Sequence, residues 1–270
     1  HRAGTPVWRL NETGVVRSPP REVLEVVQKG LDYSTLSAGA FDMTVAPLLN
    51  LYNLSFSETG AAPPREEVRR ALALVGFQHV EVSDREIAFE KAGMAVTLDG
   101  IAKGYIVDRA VEVLRERGAT RVLVNAGGDM ASAGESFEGD AWRIGLQDPR
   151  VVDGSLGVLR LRGEAVATSG DYQKYFEHEG TRYHHILNPK TGYPVPGVIS
   201  AMVVAETVMD ADALSTALFV MGAKRGLAFI NSLNDTEGIL VDQDKTPYLS
   251  QGMEDLAGFS LESFKENFSH

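Results

Sequence analysis

The chain has 270 residues, 44% of them hydrophobic and 23% charged, the balance of an ordinary globular protein with one large domain or two small ones. Twenty-six Lys and Arg against 37 Asp and Glu leave a net charge of -11. That argues against a general nucleic-acid binder, which needs a basic footprint, and against docking on an anionic membrane. With no cysteine in the chain, disulfides, thiolate metal sites and cysteine nucleophiles are excluded.

In chain order, Ser18-Pro19-Pro20 predicts a helix start, followed by Val23, Leu24, Val26, Val27 and Leu31 at helical spacing. Gly39–Pro47 (GAFDMTVAP) packs polar residues into an apolar run, and Asp42 there reads as a helix cap or as a site residue. Pro63-Pro64 predicts a second helix carrying Val68, Leu72 and Val75, stopped at Gly76. Short strands are expected at Val80–Val82 and Ile87–Phe89. Thr97–Tyr105 (TLDGIAKGY) reads as a strand ending in glycine before a third helix, from about Ala102 to Arg117, with Ile106, Ala110, Val113 and Leu114 facing inward. A helix start beside Lys103 attracts anions, although Asp99 and Asp108 fit capping or surface roles equally well.

Strands follow at Arg121–Val124, Trp142–Leu146, Val158–Leu161, Ala165–Thr168, Tyr183–Leu187 and Met202–Ala205. Gly127 and Gly128 suit a tight turn, or a backbone lying against a ligand. His184 and His185 are adjacent on a strand, so they point to opposite faces and cannot chelate one metal together; one is expected to be structural, the other a general base. Asp212 and Thr216, four apart, share one face of a fourth helix over about 210–221. A carboxylate with a hydroxyl is hard-oxygen ligation suited to Mg2+, but Thr216 bonding back to its own helix is the alternative. A fifth helix is expected after Gly222, and residues from about 240 onward read as polar and loosely structured. The fold class is α+β, with mostly antiparallel strands and helices packed alongside.

Taken in order, Gly39–Pro47, Leu98–Asp108, Asn125–Asp129, Ala167–Tyr172 with His184–Gly192, and Ala211–Ala217 resemble the ApbE family of FAD:protein FMN transferases. Leu10-Asn11 is similar to the family's short run before the first helix. The resemblance implies one flavin transferase domain over 1–240, built as two subdomains, with 241–270 a C-terminal extension. It implies a Mg2+-dependent transfer of FMN from FAD to a Thr or Ser hydroxyl of an acceptor protein, through a phosphoester and with release of AMP. The acceptor would be a flavoprotein subunit of a respiratory or ion-pumping complex. FAD pyrophosphatase activity, giving FMN and AMP, and a non-catalytic FAD-binding assembly protein are the alternatives.

By the same resemblance, Asp212, Thr216 and the Gly100 carbonyl would hold the metal, and His185 and Asp212 would be catalytic. Phe41, Asp42, Lys103, Gly127, Gly128, Asp171 and His185 would contact the cofactor. Thr97 stands where many relatives place an aspartate. A family N-terminal segment, bearing a secretion or lipoprotein signal, is expected upstream of residue 1 and would supply any membrane anchor. The implied location is the periplasm or the outer face of the bacterial inner membrane.

Overall fold

A computed structural model describes residues 2–151 and 154–257. The chain divides into two compact units, His1–Gly100 with Lys174–Val195, and Ile101–Gln173 with Pro196–His270.

In the first unit, α1 (Pro6–Thr13) is capped by Thr5, starts on proline and stops at Gly14 in the left-handed region. It precedes β1 (Val15–Arg17) and α2 (Arg21–Leu36), the helix predicted from Ser18-Pro19-Pro20. A 3-10 turn at Met43–Val45 leads into α3 (Ala46–Thr59), then α4 (Arg65–Leu72) after Pro63-Pro64. Strands β2 (Val80–Ser83) and β3 (Glu86–Phe89) join β1 in an antiparallel sheet of order β1-β3-β2. Leu48, Tyr52, Phe56, Val68 and Leu187 form a buried cluster. Asn11 of α1 brackets Val96, its Nδ2 donating to the carbonyl at 2.9 Å and its Oδ1 accepting from the amide at 2.8 Å. The unit ends with a hairpin of β9 (Tyr175–His178) and β10 (Thr181–His184). The predicted strand over Tyr183–Leu187 therefore stops at His184.

The second unit opens with α5 (Ala102–Glu116), followed by β4 (Val122–Ala126), β5 (Asp129–Ala133), β6 (Trp142–Gln147), β7 (Ser155–Leu161) and β8 (Ala165–Gly170). After the return to this unit come β11 (Val198–Ala205), α6 (Val208–Ile230), β12 (Glu237–Asp242), β13 (Pro247–Leu249) and α7 (Met253–Ala257). Six strands form one antiparallel sheet of order β13-β12-β11-β8-β5-β4, and β6 pairs with β7 as a separate hairpin. Every residue of β11 is buried, as a central strand covered on both faces requires. Ala131 and Ala165 pack with Val107 of α5 and Val208 of α6. Their neighbours Met130 and Val166 turn to the opposite face and join Ile144 and Leu159 of the hairpin.

Two expectations are corrected here. On α5, Ile106 is 65% exposed, and Val113 and Leu114 are exposed as well; the packed face is Gly104 and Val107. Helix α5 lies against α6 through Gly104 and Val107 rather than through Ile106, Val113 and Leu114. Residues 241–257 are not loose, because β13 adds an edge strand to the main sheet and Met253 is fully buried in its core; the rest of that expectation, 258–270, lies outside the described residues. The apolar helix α6 breaks at Gly222, φ 73° and ψ 176°, where the separate fourth and fifth helices were expected.

Candidate active site

In the second unit, the sites expected on α5, α6, β8 and the β4–β5 turn form a chain of polar contacts. Lys103 stands in the first turn of α5, and its Nζ lies 2.9 Å from Asp129 Oδ2 at the start of β5. Burial pushes the Asp129 carboxyl up, against the opposing pull of Lys103. Asp129 follows the two-residue turn at Gly127 and Gly128, whose φ values of 65° and 100° suit a tight hairpin. Asn125 Oδ1 accepts the Gly128 N–H at 2.9 Å.

Both glycines also line a cavity of about 280 Å3. Its walls include Met130, Ile144, Leu146 and Met202, with hydroxyls at Thr168, Tyr172 and Ser200. Turn chemistry and open backbone beside a ligand-sized space are thus the same feature. No heavy atom outside the turn lies within 4 Å of where either Cβ would be.

Asp212 and Thr216 lie one turn apart on α6. Asp212 Oδ2 accepts the Gly104 N–H at 3.3 Å. The Thr216 hydroxyl sits 3.3 Å from the Asp212 carbonyl oxygen and 3.1 Å from Ser169 Oγ, which in turn lies 2.9 Å from Ser215 Oγ. The back-bonding alternative for Thr216 is therefore present, and Ser169 joins it to a cluster of hydroxyls. One buried carboxylate with adjacent hydroxyls is a hard-oxygen donor set, which fits Mg2+. Among the described residues no three His, Asp or Glu side chains gather as a metal site, so this donor set is a mixed one.

Asp171, expected at the cofactor, is held by a bidentate fork from Arg150, Nη1 to Oδ1 and Nη2 to Oδ2, both at 2.7 Å. Sequence reasoning missed Ser169, Asp129 and Arg150 as site neighbours. Ser169 and Asp129 lay inside motifs already noted, whereas Arg150 follows an Asp-Pro turn and gave no signal of its own.

The first unit holds Phe41, Asp42, Gly100 and His185. Burial pushes the Asp42 carboxyl up, and its oxygens are engaged by the unit's own backbone. Oδ1 accepts from the Thr44 amide at 2.8 Å and the Thr44 hydroxyl at 2.6 Å, and Oδ2 accepts from the Phe77 amide at 3.1 Å. This is the capping alternative, and Phe41 beside it is buried.

The two histidines differ in surroundings, although β10 ends at His184 and His185 lies just past it. His184 is buried, with Nε2 3.0 Å from the Val195 carbonyl and Nδ1 accepting the Ile186 amide at 3.3 Å. Half-buried His185 has Nδ1 3.2 Å from the Lys174 carbonyl. A carbonyl only accepts, so Nδ1 carries the proton and Nε2 keeps its lone pair. Burial holds the His185 pKa below the ordinary imidazole value, which keeps the ring neutral near pH 7. His185 lines a cavity of about 650 Å3 with Trp8, Tyr52, Thr97, Asp99 and Lys174.

The sequence profile of the ApbE family matches residues 1–240. An FAD:protein FMN transferase of Klebsiella pneumoniae is 33% identical over 234 residues, covering 85% of this chain and 72% of that protein. One from Vibrio cholerae is 36% identical over 210 residues, 77% of this chain and 63% of that protein. The crystal structure of the ApbE protein from Thermotoga maritima has a similar fold, with TM-score 0.86 and 34% identity over 93% of this chain and 83% of that one.

Proposed function

Because this chain belongs to the ApbE family, we propose that it transfers FMN from FAD to a threonine or serine hydroxyl of an acceptor protein. The observation that carries the reading is the oxygen donor set on α6, where Asp212 and Thr216 share a face beside Ser169. Phosphoryl transfer needs positioning and charge neutralisation more than covalent help. Asp212 and Thr216 would hold Mg2+. Bound there, the ion would act as a Lewis acid on pyrophosphate oxygens.

The acceptor oxygen attacks the phosphorus of the FMN half of the pyrophosphate. A new oxygen–phosphorus bond forms as the bond to the bridging oxygen breaks, and AMP leaves with that oxygen. By the family resemblance His185 would be the base that takes the hydroxyl proton; its ring is neutral, and its Nδ1 faces the Lys174 carbonyl, which leaves Nε2 to accept. Lys103 supplies positive charge towards phosphate, tempered by Asp129. The open Gly127-Gly128 backbone suits close approach of the cofactor, and Arg150 fixes Asp171. An acceptor subunit of a respiratory or ion-pumping complex, reached on the periplasmic side, completes the proposal.

The test follows AMP release from FAD with Mg2+, with and without an acceptor domain, and weighs the acceptor by mass spectrometry. AMP that requires acceptor, with an FMN-sized mass gain, supports transfer. AMP and free FMN without acceptor would make the protein a pyrophosphatase. Bound FAD with no AMP in either tube would point to a binding protein.

A further inference from the structure

Helices α5 and α6 exchange hydrogen bonds in both directions. From α5, Asp108 Oδ1 accepts the Val208 amide at 2.8 Å and Oδ2 accepts the Met209 amide at 2.9 Å. These are two of the four amides that open a helix without partners inside it. A third, Asp210, is served by the helix's own cap, Thr207, at 3.1 Å. In return, the Gly104 amide of α5 donates to Asp212 of α6.

Gly104 and Asp108 are one turn apart, so both meet α6 along one face of α5. The helices touch backbone to backbone there. A Cβ at Gly104 would lie 2.5 Å from the Val208 carbonyl oxygen and 2.6 Å from the Met209 amide nitrogen. Asp212 stands one turn beyond Val208, and Thr216 one turn beyond Asp212, so fixing the first turn of α6 fixes the angular position of both.

We propose that Asp108 is a positioning residue, which pins the start of α6 so that Asp212 and Thr216 present their oxygens in one fixed arrangement to a divalent metal. This rests on the metal assignment made above. Asp108 touches no reacting atom in this scheme; it acts through the helix it caps. A carboxylate suits the task because it can accept from two adjacent amides at once and complements the positive end of the helix. An asparagine would turn an N–H2 towards one of those donors.

The probe is Mn2+ alone, titrated into the full chain and read by loss of the free-ion EPR signal. Asp212→Asn reports on the metal assignment, and Asp108→Asn reports on positioning. Thr207→Ala removes a cap from the same helix end without touching the tie to α5. The expected result is binding by the wild type, loss in Asp212→Asn, and roughly tenfold or greater weakening in Asp108→Asn, the scale of outer-shell effects on metal affinity. Thr207→Ala should stay close to the wild type even where its melting temperature falls.

Wild-type affinity in Asp108→Asn, with binding lost in Asp212→Asn, would overturn the positioning role and leave the metal assignment standing. Equal weakening in Asp108→Asn and Thr207→Ala would reduce Asp108 to a general stabiliser and also overturn it. Equal binding by the wild type and Asp212→Asn would remove the metal assignment, and the proposal with it. Should Asp108→Asn fail to fold, Asp108→Glu keeps the charge and lengthens the arm. Weaker Mn2+ binding is then expected, and wild-type affinity overturns the role.

Discussion

Lys103 and Asp129 form an ion pair whose members are unequally exposed, the lysine side chain at 38% and the aspartate at 2%. Removing either leaves the other alone, but in different surroundings. Lys103→Met strands a buried carboxylate and should cost about 2–3 kcal/mol, after discounting the full buried-pair penalty for the exposed lysine. Asp129→Asn leaves an ammonium that can swing into water, and should cost about 1 kcal/mol. Urea unfolding of the two variants checks the order, and a reversed order would contradict it.

As the proposed base, His185 should set a pH limb. Its pKa lies below the ordinary 6.5 because burial disfavours the charged ring. As pH falls, the imidazole therefore stays deprotonated past the point where an exposed histidine would titrate. The midpoint of the acid limb of transfer should lie below pH 6.5. His185→Ala should lower kcat by about 100-fold, the usual scale for a general base, and flatten that limb. A kcat/KM profile over pH 5–8 decides both, and full activity in His185→Ala would remove the residue from the mechanism.

Metal removal should silence the enzyme reversibly. Chelation with EDTA is expected to abolish AMP release, and excess Mg2+ to restore it. Thr216→Val keeps the shape of the side chain and loses the hydroxyl shared with Ser169. It should raise the Mg2+ concentration needed for half-maximal rate by about tenfold, since one oxygen ligand is gone. An unchanged Mg2+ dependence would clear Thr216 of a ligand role.

At the β4–β5 turn the cost of a side chain is conformational, because neither glycine's Cβ position has a close neighbour. Gly127→Ala should lower stability by about 1 kcal/mol through strain at φ 65°. Gly127→Asn should lose less, because asparagine tolerates the left-handed region. Thermal melting ranks the two. Weaker FAD binding in both variants, beyond what stability explains, is expected if the turn lies against the cofactor.

Much of the fold was legible where local chemistry was strong. Pro63-Pro64 before α4 and Gly222 within α6 marked real boundaries. The start of α1 was equally well written, with Thr5, Pro6 and Gly14 in cap, first-turn and stop positions, but its eight residues carry only two buried side chains and no long apolar period. On α5 the periodicity misled. Ile106, Val113 and Leu114 face outward, because much of the contact with α6 is a glycine brought close to backbone, and a missing side chain leaves no hydrophobic signal. The site was legible as motifs rather than as contacts. The residues on α6 announced their shared face through spacing, whereas the Arg150 fork on Asp171 joins positions 21 apart that no periodicity links.

The first unit is completed by residues 174–195, which the chain reaches only after β4 to β8 of the other unit. During synthesis, a nascent chain that has emerged as far as residue 100 still lacks the hairpin that carries His184. Strands of the second unit leave the ribosome before that hairpin does, and β11 to β13 leave after it. The usual order, in which the N-terminal module finishes first, is therefore unavailable to this protein. For the same reason no single cut yields two self-sufficient fragments. An experimenter who wants the units apart must excise 174–195 and splice it behind residue 100, joining 173 to 196.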